Sequence, residues 1–223
     1  MKSLPVKIKS IKLITTDVLQ IVTTKPHRYN FLPGQATEIS INLEGWREEL
    51  RPFTFTSLPG DEHLEFVIKT YVERDSVTGK LLTLKKGDEL LLNEVFGAIE
   101  YKGKGVFIAG GAGITPFISI FRFLQTRNDL AGNKLIFANK TRADIILKNE
   151  FERMLGNNFI NILSDEKADG YAHGKISEDF LRSYLNSSCK NVYLCGPPPM
   201  MESLEIQLSN LGIDQNSIVQ EEV

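Results

Sequence analysis

The chain has 223 residues, 42% of them hydrophobic and 24% charged, which excludes disorder, collagen-like repeats and coiled coil and leaves room for one large domain or two modest ones. Lys and Arg number 26 against 28 Asp and Glu, so a net charge of -2 gives no general attraction for the polyanionic backbone of nucleic acid. No run reaches about 18 consecutive apolar residues, and two cysteines, Cys189 and Cys195, are too few for a disulfide framework or an iron–sulfur cluster. The expectation is a cytoplasmic monomer without membrane, nucleic-acid or metal partners. Any redox chemistry then comes from a bound organic cofactor.

Up to about residue 101 the chain reads as strands. Residues 6–14 and 64–71 alternate with a period of two, and turn signals at Lys25-Pro26, Leu32-Pro33-Gly34 and Leu58-Pro59-Gly60 separate the runs. This spacing suggests a small antiparallel barrel or sandwich. Within it, Arg51-Pro52-Phe53-Thr54-Phe55-Thr56-Ser57 offers a guanidinium for a phosphate, a ring to cover a flat heterocycle and hydroxyls for its heteroatoms. An edge strand with alternating hydroxyls and no ligand accounts for the same residues. Asp75-Ser76-Val77-Thr78-Gly79-Lys80 opens a helical turn that reads either as a phosphate cradle or as ordinary N-capping.

Beyond the polar stretch Tyr101–Gly105 the pattern changes. Apolar runs at 106–110, 134–139, 158–163 and 191–196 alternate with helical segments at roughly 115–127, 144–155, 178–185 and 198–211. That is the grammar of a parallel sheet flanked by helices. Two domains are expected, 1–101 and 102–223. At 106–124 an apolar strand, the glycines Gly110, Gly111 and Gly113 and then a helix with Pro116 in its first turn suit close approach of backbone amides to a phosphate. The third glycine of the dinucleotide fingerprint is replaced by Pro116, and a strand-to-helix turn without ligand fits equally well. Cys195-Gly196-Pro197-Pro198-Pro199-Met200 follows the last long apolar strand. A thiol there would face the same crevice as the glycine turn, because ligands in open parallel sheets lie beyond the carboxyl ends of the strands, while a rigid loop with a half-buried cysteine accounts for the same residues.

In this order and at these separations the motifs resemble the ferredoxin-NADP reductase superfamily, in its compact flavodoxin- and ferredoxin-reductase-like form without a fused iron–sulfur domain. The resemblance implies a six-stranded Greek-key β-barrel that binds FAD, with FMN the less favoured flavin, followed by a Rossmann-like α/β domain for NAD(P)H. It assigns Arg51 to the flavin pyrophosphate, Phe53 to the isoalloxazine face and Thr54 to its N5. Lys69 and Tyr71 would line the ribityl chain, and Thr78 with the amides of Gly79 and Lys80 would hold the pyrophosphate. Phe53 stands where the family carries tyrosine, and Asp75 where it carries glycine. In the second domain Gly111, Gly113, Thr115 and Pro116 correspond to the nicotinamide-nucleotide turn. Cys195, Gly196, Pro197 and Met200 correspond to the loop beside the nicotinamide ring, and Lys140 and Arg142 to the adenosine-ribose turn, where a solvated basic turn is the other reading. Glu221 resembles a terminal acid that reaches the flavin, followed by Val223 in place of an aromatic residue.

The implied activity is hydride transfer from NADH or NADPH to bound FAD, with Thr54, Cys195 and Glu221 nearest the chemistry. Electrons would then pass to a separate carrier such as flavodoxin or ferredoxin. A reductase of free flavin and a non-catalytic dinucleotide-binding module are the alternatives.

Overall fold

A computed structural model describes residues 3–71, 76–97, 99–185 and 189–221. The first six strands, β1 (Leu4–Leu13), β2 (Val18–Thr24), β3 (Ala36–Ile41), β4 (Arg51–Thr54), β5 (His63–Lys69) and β6 (Glu89–Phe96), form one antiparallel sheet in the order β4-β3-β6-β1-β2-β5. A bridge between Phe55 and Phe66 joins its two edges and closes the barrel. Alternation aims Ile8, Ile21, Ile39, Phe55, Phe66 and Leu92 inward, and each is 2% exposed or less. Burying one such side chain contributes about 1.5–3 kcal/mol.

β5 is covered on both faces. Leu64, Phe66 and Ile68 point into the barrel, while the outward Val67 joins the core of the second half of the chain. A short helix, α1 (Val77–Leu81), packs beside β3. The chain leaves β6 at Phe96 and enters β7 at Val106. The crossing is stitched down by Tyr193, whose hydroxyl accepts from the Lys102 amide at 2.9 Å and donates to the Gly103 carbonyl at 2.6 Å.

The second sheet is parallel throughout. Its strands are β7 (Val106–Gly110), β8 (Lys134–Asn139), β9 (Phe159–Leu163), β10 (Ala172–His173), β11 (Val192–Cys195) and β12 (Ile218–Val219), in the order β10-β9-β8-β7-β11-β12. Helices α2 (Thr115–Thr126) and α3 (Lys148–Leu155) cover one face, and α4 (Glu178–Arg182) and α5 (Pro198–Asn210) the other. α2 is buried nearly all round its first two turns because it lies between this sheet and the barrel. Phe117 and Phe121 meet Phe107 with ring centroids 5.1 and 4.6 Å apart, while the Ser119 hydroxyl accepts from the Gly34 amide of the barrel at 3.0 Å.

The helix expected over 144–155 is shorter. Residues 142–144 form a 3-10 turn, Ile145 is extended as that turn ends, and α3 starts only after Leu147, whose φ is +51°. Ile145 and Ile146 are β-branched and are drawn into the core, which favours leaving the helix there.

Candidate active site

β7 is the strand at which the sheet order reverses, with β8 on one side and β11 on the other, and the turns leaving β7 and β11 lie side by side at their carboxyl ends. This is the place where open parallel sheets bind ligands. After β7 the chain forms a 3-10 turn, Gly111–Ile114, that runs directly into α2 at Thr115 with Pro116 in the first turn. In this 3-10 turn, capped at Gly110, the amides of Gly111 and Ala112 precede any carbonyl that could accept them, which makes them candidate donors to an anion.

The two glycines of this turn do different work. Gly111 has φ +52° and open space where a side chain would project. Gly113 lies against the carbonyl of Cys195, so a Cβ there would overlap the neighbouring backbone. Close packing of the two loops, and not the ligand alone, thus demands Gly113.

Cys195 ends β11 and Gly196 follows it. Pro197 in extended conformation then starts α5, and Met200 packs its sulfur against Gly196 and the end of β7. Thr115 and Cys195 are half-buried and Pro116 is buried. β12 pairs with β11 in the register Val192↔Ile218 and Tyr193↔Val219, which carried two residues further sets Glu221 alongside Cys195. Burial first, and then the Glu221 carboxylate, push the Cys195 thiol up to about 12. The sulfur is therefore a neutral wall at physiological pH. The chain around Glu221 is fixed one residue earlier, where the Gln220 side chain donates to Glu205 of α5 at 2.7 Å. Val223 lies outside the described residues.

Beyond β8, the Arg142 guanidinium donates to Glu166 at 2.6 Å, and the Arg142 amide donates to the other oxygen of the same carboxylate at 2.8 Å. That backbone hydrogen bond first, with the guanidinium, holds Glu166 below the usual carboxylate range. The cation expected to meet a 2'-phosphate is thus already paired, and Lys140 is the exposed basic group that remains at this turn. The Asn139 amide nitrogen is buried at the end of β8 without a partner among the described residues.

In the barrel, Arg51 is exposed and weakly held: it donates to the carbonyl of Leu50 at 2.6 Å and approaches Glu49 at 3.5 Å. Phe53 is half-buried with part of its ring on the barrel core, and among the described residues the Thr54 hydroxyl makes no hydrogen bond. The hydroxyls of Thr56 and Ser57, grouped with Thr54 from sequence, serve Glu65 instead, at 2.8 and 3.0 Å. Lys69 pairs with Asp17 at 2.9 Å, and Tyr71 is 56% exposed at the barrel end where Arg51 enters.

The cradle expected from Thr78, Gly79 and Lys80 differs in detail. Ser76 caps α1: its side chain accepts from the Gly79 amide at 3.3 Å and its carbonyl from the Lys80 amide at 2.9 Å. Those two amides are occupied, which leaves the amides of Val77 and Thr78 at the helix start. The Lys80 ammonium sits over the Trp46 ring at 5.7 Å, and Asp75 lies outside the described residues. These groups fit a flavin dinucleotide at the barrel and a nicotinamide dinucleotide at the sheet. An exposed guanidinium, an unpartnered hydroxyl and a half-open ring line one site, and free amides with an unpartnered buried amide line the other.

Sequence reading missed Arg122. It lies in the apolar helix segment Ile118–Leu124, where a lone charge is itself a signal. It binds Glu65 of the barrel at 2.6 Å and Glu150 of α3 at 2.6 and 3.0 Å. Burial opposes its charge, but the Glu150 and Glu65 carboxylates more than offset this and keep the guanidinium ionised.

Residues 3–94 match the family model of an FAD-binding domain, and residues 107–205 that of an oxidoreductase NAD-binding domain. NADH-cytochrome b5 reductase 1 of Eremothecium gossypii is 32% identical over 199 residues, covering 82% of this chain and 69% of the relative. Across the first four curated relatives matched, the chain spans between 56% and 82% of the relative's length. The fold is shared with the flavohem-like FAD/NAD-binding domain of nitric oxide dioxygenase from Vibrio cholerae, at TM-score 0.87 and 22% identity over 99% of this chain and 98% of that one. It is shared also with a ferredoxin NADP+ reductase from Neisseria gonorrhoeae with bound FAD and NADP, at TM-score 0.83 and 20% identity over 95% and 92%. Among the described residues no helix is long and apolar enough to cross a membrane, and no group of three or more His, Cys, Asp or Glu is placed to hold a metal ion. The chain therefore belongs to the ferredoxin-NADP reductase superfamily and is an NAD(P)H-dependent, FAD-binding oxidoreductase.

Proposed function

We propose that the protein is an NADH-preferring reductase that passes electrons from its flavin to a separate one-electron carrier protein, of the flavodoxin or ferredoxin kind. FAD, held by the barrel residues, would supply the redox chemistry that links two-electron hydride transfer from the nicotinamide to one-electron release. The chain's own residues orient and shield. Arg51 and the first amides of α1 hold phosphate charge, Phe53 covers a ring face, and the Thr54 hydroxyl offers a hydrogen bond at the reacting edge. The amides of Gly111 and Ala112 take the nucleotide pyrophosphate, and Thr115 and the protonated Cys195 stand where the nicotinamide would lie. Glu221 brings a carboxylate beside Cys195.

The observation that carries the NADH preference is the double engagement of Glu166 by Arg142. A 2'-phosphate arriving there would meet a carboxylate and a guanidinium that is already committed. The carrier is favoured because the chain has two cysteines and so cannot hold a cluster of its own. A second reading, reduction of free flavin as a substrate, is favoured by the occupied amides of Gly79 and Lys80, which weaken the pyrophosphate cradle.

The test is the visible spectrum of purified protein during separate anaerobic additions of NADH and NADPH, followed by oxidised flavodoxin, ferredoxin or cytochrome b5. Bound flavin bleached preferentially by NADH and recoloured by a carrier supports the proposal. Colourless protein that only turns over added flavin supports the second reading. FAD-loaded protein bleached by neither nucleotide removes both.

A further inference from the structure

Arg122 joins the strand that carries Thr54 to the helix that starts at Thr115. Its Nη1 donates to the Thr56 carbonyl at 2.7 Å and to Glu65 at 2.6 Å, while Nε and Nη2 grip both oxygens of Glu150. Glu65 is 8% exposed, and its carboxylate also accepts from the Thr56 hydroxyl at 2.8 Å and from Gln20 at 2.7 Å. Thr56 is two residues beyond Thr54 on the same extended segment, with Phe55 between them locked into the barrel by its bridge to Phe66. Arg122 is seven residues beyond Thr115 in α2. Seven residues are two helical turns, so both side chains share one face about 10 Å apart along the axis.

Domains in one chain move relative to each other unless their interface forbids it. Apolar contacts such as those of Val67 tolerate sliding, whereas charge-assisted and bidentate hydrogen bonds fix one register. We propose that Arg122 is a positioning residue for the hydride step: it sets the separation and tilt between the flavin strand at Thr54 and the nicotinamide turn at Thr115, and touches neither cofactor. This rests on the functional reading above, which places flavin and nicotinamide at those two points. A misplacement of about 1 Å between reacting atoms can cost roughly a hundredfold in rate.

The experiment compares the flavin-loaded wild type with Arg122→Met and Arg122→Lys in anaerobic stopped flow, using NADH and C4-deuterated NADH over a range of temperatures. It adds hydrogen exchange on the flavin-free proteins. Arg122→Met is expected to keep its flavin and bind NADH within about twofold of wild type. Its flavin reduction is expected to slow by roughly 10- to 100-fold, with an isotope effect that becomes steeply temperature-dependent. Amides of residues 55–57 and 117–121 should exchange faster in the flavin-free variant, and Arg122→Lys should fall between the two. If Arg122→Met does not fold, Glu150→Gln, which leaves the bond to Glu65, should show the same pattern at about threefold or more in rate. A flavin-loaded variant that is reduced within about twofold of wild type, or that is slower with an unchanged isotope effect and unchanged exchange, overturns the proposal alone. A wild type that binds FAD but is bleached by neither nucleotide overturns the functional reading and the proposal with it.

Discussion

Gly113 sits against the carbonyl of Cys195, with the Gly196 nitrogen next to it, so the turn after β7 and the turn after β11 are built as one body. Neither motif is complete alone. On the proposed reading the glycine turn would supply the amides for phosphate, and the cysteine loop the wall behind them.

The two glycines therefore separate by experiment. Gly113→Ala forces Cβ into a neighbouring backbone carbonyl, which cannot rotate away, and is expected to destabilise the protein by about 1–3 kcal/mol. Gly111→Ala meets no atom, and its positive φ alone is expected to cost about 1 kcal/mol, while the added methyl stands where the pyrophosphate would approach. Urea unfolding and NADH titration should show a stability loss dominating at 113 and an affinity loss dominating at 111. Equal profiles for the two variants would contradict this division.

Arg51→Ala should empty the flavin site without unfolding the barrel. The side chain is 48% exposed, and its pair with Glu49 spans 3.5 Å, so the pair itself is worth under about 1 kcal/mol. Flavin content per polypeptide, read from absorbance after gel filtration, should drop severalfold, while flavin-free wild type and variant melt within about 3 °C of each other. Full flavin loading in the variant would remove Arg51 from the site.

Much of this was legible in the sequence because the relevant signals are local. Strand alternation at 64–71, the apolar runs from 106 onward and the glycine turn at 110–113 need only short-range physics, and the structure realises them as β5, β7–β9, β11 and the turn into α2. What was not legible depends on contacts between distant segments. That Thr56 and Ser57 serve Glu65 while Thr54 stays free follows from the pairing of residues 55–57 with β5 at the barrel closure, which no local pattern encodes. That Ser76, rather than a ligand, engages the Gly79 amide is a capping choice between two readings of the same residues. Arg142 looked available because Glu166 is 24 residues away in sequence.

Glu166→Gln should loosen the nucleotide preference. The carboxylate is held ionised by the Arg142 amide and guanidinium, so its neutral isostere removes the negative charge and releases the guanidinium toward an incoming 2'-phosphate. The ratio of kcat/KM for NADPH over NADH should rise on the order of tenfold. The additional change Arg142→Ala should cancel the gain. A ratio that does not move places the adenosine ribose elsewhere than the Lys140–Arg142 turn.

Cys195 supplies a pH test with a definite sign. In the unfolded chain a thiol ionises near about 8.5, whereas in the fold burial and then the Glu221 carboxylate push it up to about 12. The folded state thus holds the proton more tightly than the unfolded state does. Its contribution to stability is fully present below about pH 8.5 and is lost progressively as pH rises toward about 12. Unfolding free energy measured from about pH 7 to about pH 10.5 should therefore fall in the wild type, and should fall less in Cys195→Ala, whose side chain cannot ionise. The same protonation predicts slow alkylation of Cys195 by iodoacetamide at neutral pH, since the thiolate is the nucleophile. Rapid alkylation there would show a thiolate and reverse the assignment of Cys195 as a neutral wall, and parallel pH curves for wild type and variant would show that the fold does not raise the thiol at all.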